Sequence, residues 1–250
     1  MKYLIPFFLI STIIFSQDKV DPKDLEVWEP EPKIVEPYKS NGIPSDAIIL
    51  FDGSDFSKWK SERIDQEVLW SLNEDKSMTI NPGTGGIETI EEHGSIQLHI
   101  EWKSPTKILG DGQYRGNSGI FFQRRYELQI LDSYQNPTYS NGQAGSIYLQ
   151  HIPLVNASLP PGKWQTFDIV FNAPELNQEG VFNKKGNFTI FHNGVLIHNA
   201  IEISSATYDF EKDTPFTLLL QDHGRDEGNF ISFRNISCFN RHRINLSSSN

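Results

Sequence analysis

The chain reads as an all-β protein, folded as a two-sheet antiparallel sandwich. Three observations predict this. Apolar and polar residues alternate with period two in many short runs between residues 47 and 239. The run "NFTIFHNGVLIHNAIEI" places Asn193-Gly194 between two alternating stretches, the pair favoured by a type I′ hairpin turn. No long helical period appears, and the one cysteine, Cys238, rules out a disulfide framework within the chain, so a buried core must hold the sheets together.

The elements follow in order. Residues 17–46, including "EPEPKIVEPY", are dense in Pro and charge and read as an extended linker or a strap across the surface. The folded domain is expected over 47–239, opening with "AIILFDG", with a short helix near "FSKW". "SIQLHIEWK" puts Gln97, His99 and Glu101 on one face and Leu98, Ile100 and Trp102 on the other. "NSGIFFQ" opposes Asn117, Gly119, Phe121 and Gln123 to Ser118, Ile120 and Phe122, and "YELQILD" opposes Glu127 and Gln129 to Leu128 and Ile130. "SIYLQHI", "WQTFDIVFNA", "FTLLLQDHG" and "FISFRNISCF" supply further strands, the last holding Cys238 as a small buried hydrophobe. His192 and His198 flank the hairpin turn and are expected in solvent. Residues 240–250 are a polar tail. A sheet that curves turns its outer face into a groove for a ligand.

Bulk properties narrow the function. The chain has 250 residues, 37% hydrophobic, enough for one sizeable core. A net charge of −10 disfavours nucleic acid and anionic membranes as partners. Residues 1–16 have the form of a cleaved signal peptide, one Lys followed by an apolar run from Tyr3 to Phe15. The expected destination is therefore secreted or periplasmic, with no membrane attachment after cleavage. The oligomeric state is not legible.

The polar residues sharing strand faces are the candidates for chemistry. They are Glu101, Asn117, Glu127, Gln129 and Gln221 with His223, joined by Arg115 before one strand and Tyr148 on another. A merely wet sheet face shows the same alternation. Glycines in "RGNSG", "NGQAGS" and "QDHG" favour the other reading, because they let a ligand approach the backbone. Glu127-Leu-Gln129-Ile-Leu-Asp132 invites comparison with retaining β-glucanases, whose motif is E-x-D-x-x-E. Here Gln129 cannot relay a proton and Asp132 is short, which weakens a two-carboxylate glycosidase. His99, Glu101, Glu127 and His223 are acceptable metal-ligand types without a tight spacing, so no metal is assigned, although a divalent cation has suitable donors. Trp70, Trp102, Tyr126 and Tyr148 are considered both as core and as sugar platforms, while Trp59 and Trp164 read as core.

The ordered blocks "LFDGSDFSKWK", "GGIETIEEHGSIQLHIEWKSP", "RGNSGIFFQRRYELQILDSY", "AGSIYLQ", "PPGKWQTFDIVF", "FTIFHNGVLI" and "LLLQDHGRDEGNFISFRNI" together resemble the 3-keto-disaccharide hydrolase domain family. The resemblance implies a concanavalin A-like jelly-roll sandwich, exported, acting on an oligosaccharide or glycoside already oxidised to a ketone at C3. Such a ketone acidifies the C2 hydrogen, so that proton abstraction, β-elimination and water addition give net hydrolysis. On that chemistry His223 is the expected base, Glu127 its orienting carboxylate or an acid/base itself, and Arg115 a stabiliser of developing charge. Asn117, Gln129, Gln221, Glu101 and Tyr148 are expected to hold the substrate, and a divalent cation is an alternative enolate stabiliser. A non-catalytic sugar-binding module and a conventional β-glycosidase are the alternatives.

Overall fold

The computed structural model describes residues 20–37, 42–177, 179–208, 210–211, 213–224 and 229–240. The leader-like residues 1–16 and the tail beyond residue 240 lie outside these. The strands of the first half are β1 (Ile48–Phe51), β2 (Trp59–Ser61), β3 (Ser71–Leu72), β4 (Met78–Thr79), β5 (Ile87–Thr89), β6 (Ile96–Lys103), β7 (Asn117–Phe122) and β8 (Tyr126–Leu131). There follow β9 (Gln165–Asn172), β10 (Glu175–Leu176), β11 (Phe182–Lys184), β12 (Asn187–His192), β13 (Val195–Glu202), β14 (Leu219–Leu220) and β15 (Ser232–Phe239).

Eight strands form one antiparallel sheet in the order β13-β12-β9-β6-β15-β4-β3, with β1 also paired to β15. Five form the second, in the order β2-β5-β14-β7-β8, and β10 and β11 make a separate ribbon. The all-β sandwich expected from the alternation is the one observed. Leu98, Ile100 and Trp102 of the larger sheet and Ile120, Phe122, Leu128 and Ile130 of the smaller one are fully buried in one common core. Phe122 meets Phe171 of β9 with ring centroids 5.0 Å apart and Phe188 of β12 at 5.1 Å, which locks the sheets face to face. Truncating such a buried ring to Ala costs about 3–5 kcal/mol. Cys238 sits in the same core, where burial pushes its thiol up to about 11.

The hairpin turn is as the dipeptide indicates. Asn193 and Gly194 both take positive φ, 52° and 77°, and His192 pairs with Val195. Three expectations fail. The "SIYLQHI" run is not a strand: Ile147 and His151 make isolated bridges, and residues 148–150 between them form a turn. The "FSKW" segment is a turn closed by Trp59 N donating to Phe56 O at 2.8 Å, with no helix. His192 and His198 are buried rather than exposed. His192 follows the alternation of β12, on the buried face of Phe188 and Ile190, while the β12–β13 register shifts around Ile190, the partner of His198, and re-aims that side chain. His192 stacks on Trp102 and shares a hydrogen bond with Gln165 Oε1, while His198 bonds to Gly145 O. Burial holds both imidazoles down to about 4.

Because the apolar residues of both sheets face the common core, each sheet keeps one outer face. Those two faces lie on opposite sides of the sandwich. Of the 17–46 segment, residues 20–37 are almost wholly exposed, apart from the half-buried Val35, and include a 3-10 turn at Pro22–Leu25. The chain then bonds back on itself through Ser45 N to Glu36 O before β1.

Candidate active site

The outer face of the five-stranded sheet carries an unusual set of buried polar groups. Glu127 of β8 stands opposite Phe121 of β7, and Gln129 opposite Gly119. Leu219 of β14 lies on the far side of Phe121, and Glu88 of β5 beyond it. Gln221 N donates to Gly119 O at 2.9 Å, so the pairing runs on past β14. One row therefore reads Gln221, Gly119, Gln129, with Glu127 a half-step below.

Gly119 makes that arrangement possible. A Cβ built there would lie 2.6 Å from Glu127 Oε1 and 2.9 Å from the Phe121 ring. The carboxyl therefore leans over the glycine, toward the middle of the sheet. His223 follows two residues after Gln221, in the irregular segment beyond β14. His223 is half-buried at the end of this segment.

Glu127 is only 2% exposed. Burial pushes its carboxyl up to about 8, against the opposing pull of a hydrogen bond from the Tyr208 hydroxyl. Its Oε2 is buried without a hydrogen-bond partner, as is Gln221 Oε1. Such orphaned acceptors are rare in folded proteins and mark places where a ligand can complete the bonding. A carboxyl with a pKa near 8 is mostly protonated at neutral pH and can donate.

The remaining polar groups brace this core of the site. Gln129 Nε2 donates to Asn117 Oδ1 at 2.8 Å, and Asn117 Nδ2 donates to Gln113 O at 2.9 Å. Arg115 is buried and donates through Nε and Nη2 to Asp132 Oδ2, the former at 2.9 Å. Its charge is thus matched by a carboxylate, so the guanidinium enters the site as a braced ion pair and not as an unopposed cation. Tyr148 N donates to Glu127 O at 3.0 Å, which places that half-exposed ring beside the acid. The hydroxyls of Tyr148 and Tyr139 are 2.7 Å apart. Tyr208 stacks on Phe121 at 6.1 Å and lies 6.5 Å from Tyr148. Burial, with the nearby Glu127 charge, pushes the Tyr208 phenol up to about 12.

Tyr139 and Tyr208 are site residues that alternation does not reveal, because both lie in irregular segments. Trp70, Trp102 and Tyr126 are buried in the core and are not platforms. Trp164 is half-buried on the outer face of the larger sheet, with Arg234 and Lys103 over its ring, and so is not core.

Glu101 and His99 do not join this constellation, which corrects the expectation that they share it. Both belong to β6, in the other sheet, with Glu101 accepting from Arg234 Nε at 2.8 Å and Asn235 Nδ2 at 2.7 Å. The potential metal set of His99, Glu101, Glu127 and His223 is thereby split across the sandwich. Among the described residues no group of three or more His, Cys, Asp or Glu is close enough to hold a metal ion.

Other carboxylates of the small sheet are committed elsewhere. Glu88 is bonded to Arg124, Lys60 and Thr217, three strands from Glu127 and so about 14 Å away. Asp132 is five residues along from Glu127, about 17 Å of strand, and paired with Arg115. Asp222 accepts from Gly85 N and Gly224 N.

The outer face of this antiparallel sandwich thus gathers a buried acid, amides and tyrosines. The chain belongs to the family of 3-keto-alpha-glucoside-1,2-lyase-like domains, whose pattern matches residues 46–238. A candidate glycosyl hydrolase from Parabacteroides distasonis ATCC 8503 is 39% identical, with a TM-score of 0.80 over 92% of this chain and 100% of its own. A second candidate glycosyl hydrolase from that organism shares the fold at 18% identity, with a TM-score of 0.57 over 79% of this chain and 94% of its own. No curated protein matches the chain.

Proposed function

We propose that the protein cleaves glycosides bearing a ketone at C3, by elimination followed by hydration. The observation that carries this reading is a buried carboxylic acid, Glu127, in no ion pair, whereas the other buried carboxylates of this sheet, Glu88 and Asp132, are each paired with cations. Retaining enzymes place two carboxyls about 5–5.5 Å apart and inverting ones about 6.5–9.5 Å. Glu88 and Asp132 stand well beyond both and are already paired.

Elimination needs one base and one acid. His223 removes the proton from C2, and the electron pair forms the C1–C2 double bond in conjugation with the C3 ketone. The C1–O bond breaks toward the leaving sugar, whose oxygen takes the proton held by Glu127. The Gln221 amide steadies the enolate oxygen, while Asn117 and Gln129 hold ring hydroxyls and Tyr148 and Tyr208 wall the ring. Water then adds at C1 and a proton returns to C2. Family membership and the orphaned oxygens of Glu127 and Gln221 support a sugar bound on this face. The leader-like residues 1–16 support export to where such glycosides are met.

Incubation with a 3-keto disaccharide and with its unoxidised parent tests this. Free sugar is expected only from the ketone, with large losses in Glu127→Gln and His223→Ala. Equal release from both substrates would establish a conventional glycosidase. Binding without release would establish a sugar-binding module.

A further inference from the structure

The outer face of the eight-stranded sheet, on the far side of the sandwich from Glu127, holds a walled hollow of about 440 Å³. Its floor is one cross-strand row, Ser237 of β15, His99 of β6 and Asp168 of β9. Glu101 lies in the neighbouring row, and residues 42–44 of the N-terminal segment form part of the wall.

Two features show that this hollow is built rather than incidental. Strand β15 bulges between Arg234 and Ser237, and Asn235 there takes a left-handed φ of 49°. That conformation costs about 1 kcal/mol or more in a non-glycine residue. The bulge aims the Asn235 amide at Glu101 Oε1. Lys76 in the wall is likewise left-handed, at φ 60°. The charged groups are also fixed in place. His99 Nδ1 bonds Asp168 Oδ1 at 2.7 Å, and that bond and the contact with Glu101 hold the imidazole up to about 9, hence cationic at neutral pH.

We propose that this hollow is a second, non-catalytic carbohydrate site for a neutral sugar. Three lining carboxylates, Asp52, Asp168 and Glu101, face Lys76 and His99, and Arg234, outside the lining, pairs with Glu101 and brings the local charge into balance. A net anion or cation therefore gains nothing from the site, whereas a polyol can use its donors and acceptors together. His99 Nε2 and Glu101 Oε1 are 4.0 Å apart, too far for a direct bond. A single hydroxyl seated beside both can accept from the first and donate to the second at ordinary lengths. Gln97 and Asp168 line the same floor, within reach of a neighbouring hydroxyl. A Ser–His–Asp hydrolase is the rival use of the row. It fails because an imidazolium held between two carboxylates cannot serve as a base near neutral pH.

The test is calorimetric or NMR titration of the Glu127→Gln protein, full chain, with glucose, glucuronate and glucosamine. The titrants have no glycosidic bond to cleave, so the result does not depend on the mechanism proposed for the other face. Millimolar binding of glucose is expected, with shifts at Gln97 and His99 resonances and at least a tenfold loss in Asp168→Ala. Gln97→Ala, an exposed position that leaves the fold intact, should weaken binding about threefold. Shifts confined to residues near Gly119 and Gln221, preference for glucuronate or glucosamine, or no binding at 50-fold the expected Kd of about 1 mM would each overturn the proposal.

Discussion

Glu101 and Glu127 are the same residue type on outer faces of two sheets in one sandwich, yet their acidities diverge by several pH units. Burial tends to raise Glu101, but the nearby His99 imidazole and the bonds from Asn235 and Arg234 overturn that and hold it down to about 2. Glu127 is buried more deeply with one tyrosine hydroxyl, and is pushed up to about 8. The difference teaches that strand position supplies the carboxyl, while the neighbours decide whether it is a structural anion or a proton donor. In Glu101 the charge is fully used by the fold. In Glu127 the fold leaves it uncompensated, which is what a catalytic acid requires.

The most severe way to break the contrast is Glu127→Gln. Loss of a general acid is expected to lower kcat/KM by about 10³-fold, read by sugar release from the 3-keto disaccharide. The same variant should be more stable than the parent at alkaline pH. Native Glu127 keeps its proton between pH 4.5 and about 8 while the unfolded chain has lost it. Native stability therefore falls across that window, by up to about 5 kcal/mol. Denaturant melts at pH 5 and pH 9 should show the slope in the parent and its loss in the variant.

Gly119→Ala sharpens the comparison without replacing an ionisable group. The added methyl meets Glu127 Oε1 and must displace it. A loss of about 10²-fold in kcat is expected from the misplaced acid, with about 1–3 kcal/mol of destabilisation from overpacking. Unchanged kcat would mean that the carboxyl's lean over the glycine is irrelevant to turnover.

Glu101→Gln probes the other side. The folded acid is depressed, so its contribution is present above pH 4.5 and is lost as pH falls toward 2. The variant should lose about 1–3 kcal/mol at pH 7 and show a flatter acid limb, measured by urea melts from pH 7 to pH 3.

Tyr208→Phe is the mildest change. It removes the bond that lowers Glu127, so the alkaline limb of the rate profile should move above pH 8, with about a tenfold fall in rate. If Glu127 acts as an anion instead, activity would rise rather than fall with pH near 8, and that rising limb would move up in the variant.

Much of this molecule is legible along the chain. The alternation in 96–103, 117–122 and 126–131 names the faces of β6, β7 and β8 correctly, and Asn193-Gly194 places its turn. Glu127, Gln129, Asn117 and Gln221 share one face, as strand parity indicates, because parity needs no partner to be read. Glu101 looks equivalent in sequence, since nothing along a strand says which sheet it joins. The buried His198 escapes because the β12–β13 register shifts at its partner Ile190, whereas His192 continues the buried face of Phe188 and Ile190 and is legible from the alternation. Tyr208 and Tyr139 escape because irregular segments have no period.

Residue order by itself determined the all-β class, the hairpin, the polar faces and the family. These depend on local backbone preference and on period-two alternation, which each segment carries alone. Only the tertiary structure decided that Glu127 and Glu101 stand back to back across the core, and that one is starved of partners while the other is surrounded by them. Desolvation and charge pairing act through space, between residues far apart in the chain, and so have no signature within any single strand.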